Sequence, residues 1–142
     1  MNPHVTVDVL REQLGVYREA LRSGGHAMPT ELPLLREAWI AETRERAWQE
    51  AAPYLARKYA VYTDWGQDRA VPATQTFDRP LEELARDRFI IGTPDDLVAE
   101  SRRYAQELGV TTLMLRVQWP GMPRQQVVDQ IRLIGESVRP RL

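Results

Sequence analysis

The chain has 142 residues, of which 43% are hydrophobic and 27% charged, the composition of an ordinary globular domain. Its 19 Lys and Arg are scattered among 20 Asp and Glu, for a formal net charge of −1, so the basic footprint of a nucleic-acid binder is missing. There is no Cys, which removes disulfides, thiolate nucleophiles and cysteine metal sites and fits a cytoplasmic protein; no apolar run reaches the roughly 18 residues of a membrane span.

Residues 1–142 read as a single domain. The first 25 residues carry Asp8, Glu12 and Glu19 and no unbroken apolar core, unlike a signal peptide. Leu10, Leu14, Tyr17 and Leu21 recur on one helical face, which Gly24 and Gly25 end. A loop with Pro29 and Pro33 leads to a strand, Leu34 to Ala41. Thr43 suits the N-cap of the next helix and Glu45 its first turn. That helix carries Trp48, Ala51, Leu55, Tyr59 and Tyr62 on one stripe, with a kink expected at Pro53.

Asp64 to Asp78 has no periodicity and reads as loop. Pro80 opens a short helix, and Phe89 to Ile91 is a short buried strand. Thr93-Pro94-Asp95-Asp96 combines an N-cap, a proline at the first helical position and acids at the positive dipole end. Leu97, Ser101, Tyr104 and Leu108 form the inward stripe of this helix, and Gly109 closes it. Thr111 to Trp119 alternates like a strand with two distinct faces. After the Pro120-Gly121-Met122-Pro123 turn, Val127, Ile131, Ile134 and Val138 mark a last helix, ended by Pro140.

Alternating helices and strands predict an α/β fold with about three parallel strands joined by right-handed crossovers. A closed (β/α) barrel needs eight strands and about 250 residues. The expectation is therefore a partial TIM-type barrel whose opening part is absent. Helices on one side only would leave the other sheet face and both edges open, which predicts self-association.

Three segments resemble the carboxy-terminal end of luciferase-like flavin-dependent monooxygenases. They are Leu35-Arg36-Glu37-Ala38-Trp39-Ile40-Ala41-Glu42-Thr43, then Arg88-Phe89-Ile90-Ile91-Gly92-Thr93-Pro94-Asp95-Asp96, then Leu115-Arg116-Val117-Gln118-Trp119-Pro120-Gly121-Met122. The resemblance runs from about Leu10 to Leu142. It implies a (β/α) barrel, of which this chain matches strands six to eight and their helices. It also implies FMN or a deazaflavin as cofactor and a small organic substrate, with strands one to five supplied by a separate chain or by a longer parent; a homo-oligomer is the expectation from the open sheet face. A non-catalytic oligomerising or small-molecule-binding module derived from that fold is the alternative.

Barrel active sites lie at the carboxyl ends of the strands. On the last strand Leu113, Leu115 and Val117 should face the helices around Tyr104 and Ile131, with Arg116 and Gln118 on the inward face and Trp119 at the end. Arg116, Gln118 and Trp119 are the candidate cofactor-binding residues. Arg116 contacts either an anion or flavin carbonyl, or an internal carboxylate such as Glu37. Gln118 meets a flavin edge or substrate carbonyl, or caps loop backbone. Trp119 is a pocket wall or a packing plug, and Trp39 belongs to the core. Gly92-Thr93-Pro94 reads as a cap rather than a phosphate site, because Asp95 and Asp96 already meet the dipole. His4, at a frayed start, and His26, in a Gly-rich loop, have no spacing that makes metal ligands or a catalytic pair. The catalytic residues are unknown at this stage.

Overall fold

Thr43 and Thr93 cap two of the helices, and Gly109 ends one, where the sequence puts them. The computed structural model describes residues 1 and 3–142. In chain order these form α1 (Val7–Ser23), β1 (Pro33–Ile40), α2 (Arg44–Asp64), α3 (Leu81–Ala85), β2 (Phe89–Gly92), α4 (Pro94–Leu108), β3 (Thr112–Arg116) and α5 (Arg124–Ser137). Thr43 Oγ1 accepts from Arg46 N at the start of α2. At α4, Thr93 and Asp96 form a reciprocal capping box, and Gly109 closes the helix in the left-handed region at φ 75°. The loop between α2 and α3 holds two short 3-10 turns, Gln67–Ala70 and Ala73–Gln75.

The sheet is parallel, as expected, but its order is β2-β1-β3: the first strand lies in the middle. Glu37 faces Phe89 in the register on one side and Arg116 on the other. The chain thus steps one way from β1 to β2 and then back across β1 to β3. Right-handed crossovers in opposite directions place their helices on opposite faces of a sheet. The two cores follow this rule. On one face Leu34, Ala38 and Ile40 of β1 pack with Leu10 and Leu14 of α1, Leu97, Tyr104 and Leu108 of α4, and Val138. On the other, Trp39 packs with Ala47, Ala51, Leu55 and Tyr59 of α2, together with Leu84 and Phe89.

This corrects the one-sided sheet expected from the sequence. The stripe of α2 covers the second face, so the bare inner face on which the self-association argument rested is not present. β3 is also shorter than the alternation suggests and ends at Arg116. Beyond that point Gln130 of α5 takes the place of a strand partner for β1. With its amide oriented to suit its neighbours, it donates to Ile40 O at 3.0 Å and accepts from Ile40 N at 2.9 Å. In α5 the stripe is rotated: Leu133, Ile134 and Val138 meet the core, while Ile131 is 57% exposed.

The residues before α1 are pinned rather than frayed. The guanidinium of Arg36, fully buried, donates to Pro3 O (3.2 Å) and Val5 O (3.0 Å) and lies over the Tyr104 ring. Thr6 N donates to Gln75 Oε1 (3.1 Å) and Val7 N to Asp87 Oδ2 (2.8 Å). His4 sits among the rings of Tyr59, Tyr62 and Phe77, with Nδ1 3.1 Å from the Tyr59 hydroxyl.

Leu55 is fully buried in the α2 core. Leu55→Ala should lower the unfolding free energy by about 2–5 kcal/mol in urea melts. A loss below about 0.5 kcal/mol would mean that α2 does not cover the sheet.

Candidate functional site

The second face is organised around one acid. Glu37 is fully buried, and a buried carboxylate is stable only when donors meet its oxygens. Its Oε1 accepts from Lys58 Nζ and, at 3.3 Å, from Arg116 Nη1. Its Oε2 accepts from the Trp119 indole Nε1 at 2.6 Å. Lys58 comes from α2 and is itself buried; burial holds its pKa below the ordinary lysine value, against the opposing charge of Glu37. Burial likewise raises the Tyr59 phenol well above its usual range. Trp39, beside Trp119 in the same core, donates its indole N–H to Glu50 Oε2 at 2.9 Å.

The three residues singled out in the sequence come together here. Arg116, Gln118 and Trp119 line one cleft of about 490 Å³ between α2 and the end of β3. Arg116 is half-buried and uses the Glu37 contact, the internal-pair reading. Trp119 is fully buried and forms the floor of the cleft. Gln118 is exposed; its Nε2 lies 3.3 Å from Trp119 O, a long bond to loop backbone. Opposite them α2 presents Arg57, Lys58 and Tyr62, with Trp65 at its carboxyl end. These four were not anticipated. Lys58 was legible, since it follows Leu55 by three and precedes Tyr62 by four, inside the apolar stripe.

Two further places carry less chemistry. A cavity of about 410 Å³ at the end of β1 is bordered by Ala41, Glu42, Glu50 and Gln130. Its cation Arg46 is taken by Glu42 (3.3 Å) and Glu50 (2.9 Å). At Gly92-Thr93-Pro94 the Asp96 carboxylate closes the start of α4. It accepts from Thr93 N (2.9 Å) and from Arg44 at 2.9 and 2.6 Å, and Arg44 above all holds its pKa well below the ordinary carboxylate range. A side chain at Gly92 would collide with that carboxylate. The site is a cap. Among the described residues no group of His, Asp and Glu is placed to hold a metal, and no helix is long and apolar enough to cross a membrane.

No protein-family model and no curated protein matches the chain. Solved structures do. The monooxygenase RslO1 from Streptomyces bottropensis superposes with a TM-score of 0.71 at 21% identity, over 99% of this chain and 39% of that one. The chain takes the fold of a part of that monooxygenase. The oxygenating constituent of 3,6-diketocamphane monooxygenase, a type II Baeyer–Villiger enzyme from the CAM plasmid of Pseudomonas putida solved with FMN, gives 0.68 at 18% identity, over 96% and 41%. The chain spans about two fifths of the length of these structures, and the three-strand segment matches a part of their barrel.

Glu37→Leu leaves Lys58 and Arg116 without their acid and Trp119 without its acceptor. It should destabilise the fold by about 3–5 kcal/mol, and a chemical melt that shifts by less than 1 kcal/mol would deny the cluster its role.

His4 provides a pH test. Burial first, and the charge of Lys58 next, lower its pKa from 6.5 to about 4. The unfolded chain then binds the proton before the folded one does. Stability is complete above about pH 6.5 and is lost as the pH falls towards about 4. Melting temperatures between about pH 7 and 5 should decline for the natural chain and flatten for His4→Phe; parallel curves would contradict the assignment.

Proposed function

We propose that this chain is the carboxy-terminal part of a luciferase-like flavin-dependent oxidoreductase or monooxygenase acting on a small organic substrate, with FMN or a deazaflavin as cofactor. One observation carries the reading: 99% of the chain finds its place within 39% of a monooxygenase. The FMN complex of a second structural neighbour supports the choice of cofactor class.

The residues of the cleft fit such a group. Aromatic side chains at Tyr62, Trp65 and Trp119 offer planar surfaces, and Arg57 and Arg116 offer cations. Gln118, exposed at the rim and held only by its long bond to Trp119 O, presents an amide to a ring carbonyl or a substrate. A bound flavin supplies the electron transfer and oxygen chemistry. Arg116 then holds negative charge, Gln118 orients the ring edge, and Trp119, fixed by Glu37, keeps water from the floor. The chain that furnishes the remaining strands completes the enclosure. A cytoplasmic setting, with a second copy or that complementing chain as partner, belongs to the same proposal.

A second reading has an observation of its own. With α2 over one face and α1, α4 and α5 over the other, both faces of the sheet are covered within the chain. That favours a non-catalytic binding module able to stand alone, its associations limited to the two strand edges.

Turnover separates the two. The pure chain should oxidise no substrate at ordinary enzyme rates, roughly 1–10³ per second, with reduced FMN present. Adding an amino-terminal barrel segment should raise flavin affinity and restore turnover. Full activity of the pure chain would refute the incomplete-enzyme reading. Unchanged flavin affinity with the segment present would favour the module.

A further inference from the structure

The cleft beside β3 has a charge balance that its structural role leaves unexplained. Arg57, Lys58 and Arg116 line it, and no carboxylate does. The single acid beneath, Glu37, takes both Lys58 and Arg116, so it cannot neutralise the set. Arg57 forms no hydrogen bond or ion pair among the described residues. Its Nη1 would lie 3.4 Å from a Cβ at residue 121, so the guanidinium rests against the bare backbone of the Pro120-Gly121 turn. Gly121 has φ 87°, so a larger residue there would be strained.

Trp65 is the second unexplained feature. It is 69% exposed, although it stands directly after α2 and beside Tyr62, whose ring centroid is 6.2 Å away at an interplanar angle of 33°. An exposed indole and a cation with no partner, lining the same cleft, are suited to a flat ring carrying a negative group. The volume, about 490 Å³, lies within the range of small-molecule sites.

We propose that Arg57 and Trp65 make this cleft a binding site for planar aromatic anions, with Arg57 as the charge partner and Trp65 as the stacking surface. The site is complete within this chain. It deepens the flavin reading without requiring it, because a flavin phosphate ester and an aromatic carboxylate share the chemistry.

The test is tryptophan-fluorescence titration of the full chain with 2-naphthoate, with uncharged 2-naphthamide and with FMN. Naphthoate should bind saturably, and naphthamide about tenfold more weakly or worse. Arg57→Gln should weaken naphthoate about tenfold, Arg57→Lys should recover part of the loss, and Trp65→Ala should weaken it severalfold. Both positions are exposed, so circular dichroism melts should stay unchanged, and the remote Arg132→Gln should bind like the natural chain. Equal binding of acid and amide, or full affinity in Arg57→Gln, overturns the proposal. Naphthoate that binds while FMN neither binds nor competes upholds the site and removes the flavin from it. FMN that binds undiminished in Arg57→Gln, with no naphthoate binding, overturns the proposal and leaves the flavin reading standing.

Discussion

Burying the Glu37 carboxylate away from water obliges donors to converge on it, and the elements that bring them shape the second face of the sheet. Lys58 ties down the carboxyl half of α2. Trp119 folds back from the end of β3. Arg116 reaches across from the neighbouring strand, at the register position paired with Glu37 itself. A lone charge in that place would cost several kcal/mol, so the cluster forms as a unit or not at all. The cleft between α2 and β3 is a by-product of the same geometry: the floor is Trp119, and the walls are the two elements that Glu37 holds together.

Strand order explains why α2 is available for this role. Three successive strands of a barrel running one way round would send every crossover helix to the same side. Here β1 is central, the direction reverses after β2, and α2 and α4 fall on opposite faces. The segment is thereby covered twice while its backbone still follows a part of the monooxygenase RslO1 over nearly its whole length. The outer edges of β2 and of β3 have no strand partner among the described residues.

Much of this was legible in the residues, and the failures have a common cause. Capping residues act within a few positions of themselves, so Thr43, Thr93 and Gly109 are where the sequence puts them. The alternation of β3 also assigns its faces correctly: Leu115 and Val117 meet the α1–α4 core and Arg116 meets Glu37. The coverage of the inner face by α2 was missed, because it depends on which side of β1 each later strand takes, a property no local window contains. Ile131 was misplaced for a similar reason, since Gln130 is drawn inward by the unpaired end of β1. His4 resembled a loose terminal residue and is instead held by rings more than fifty positions away. The candidate site was half visible: the β3 residues stand out in an alternating strand, whereas Arg57 and Trp65 gain meaning only from what α2 faces.

The Trp119 indole proton reports on this arrangement directly. Its donor is sealed under α2 and bonded to a buried carboxylate, while the indole of Trp65 stands in solvent. Hydrogen exchange of the tryptophan side chains, followed by NMR, should show Trp119 protected to nearly the free energy of global unfolding and Trp65 exchanging without protection. Exchange of Trp119 at the rate of Trp65 would contradict the account, because Glu37 would then not be holding the second face closed.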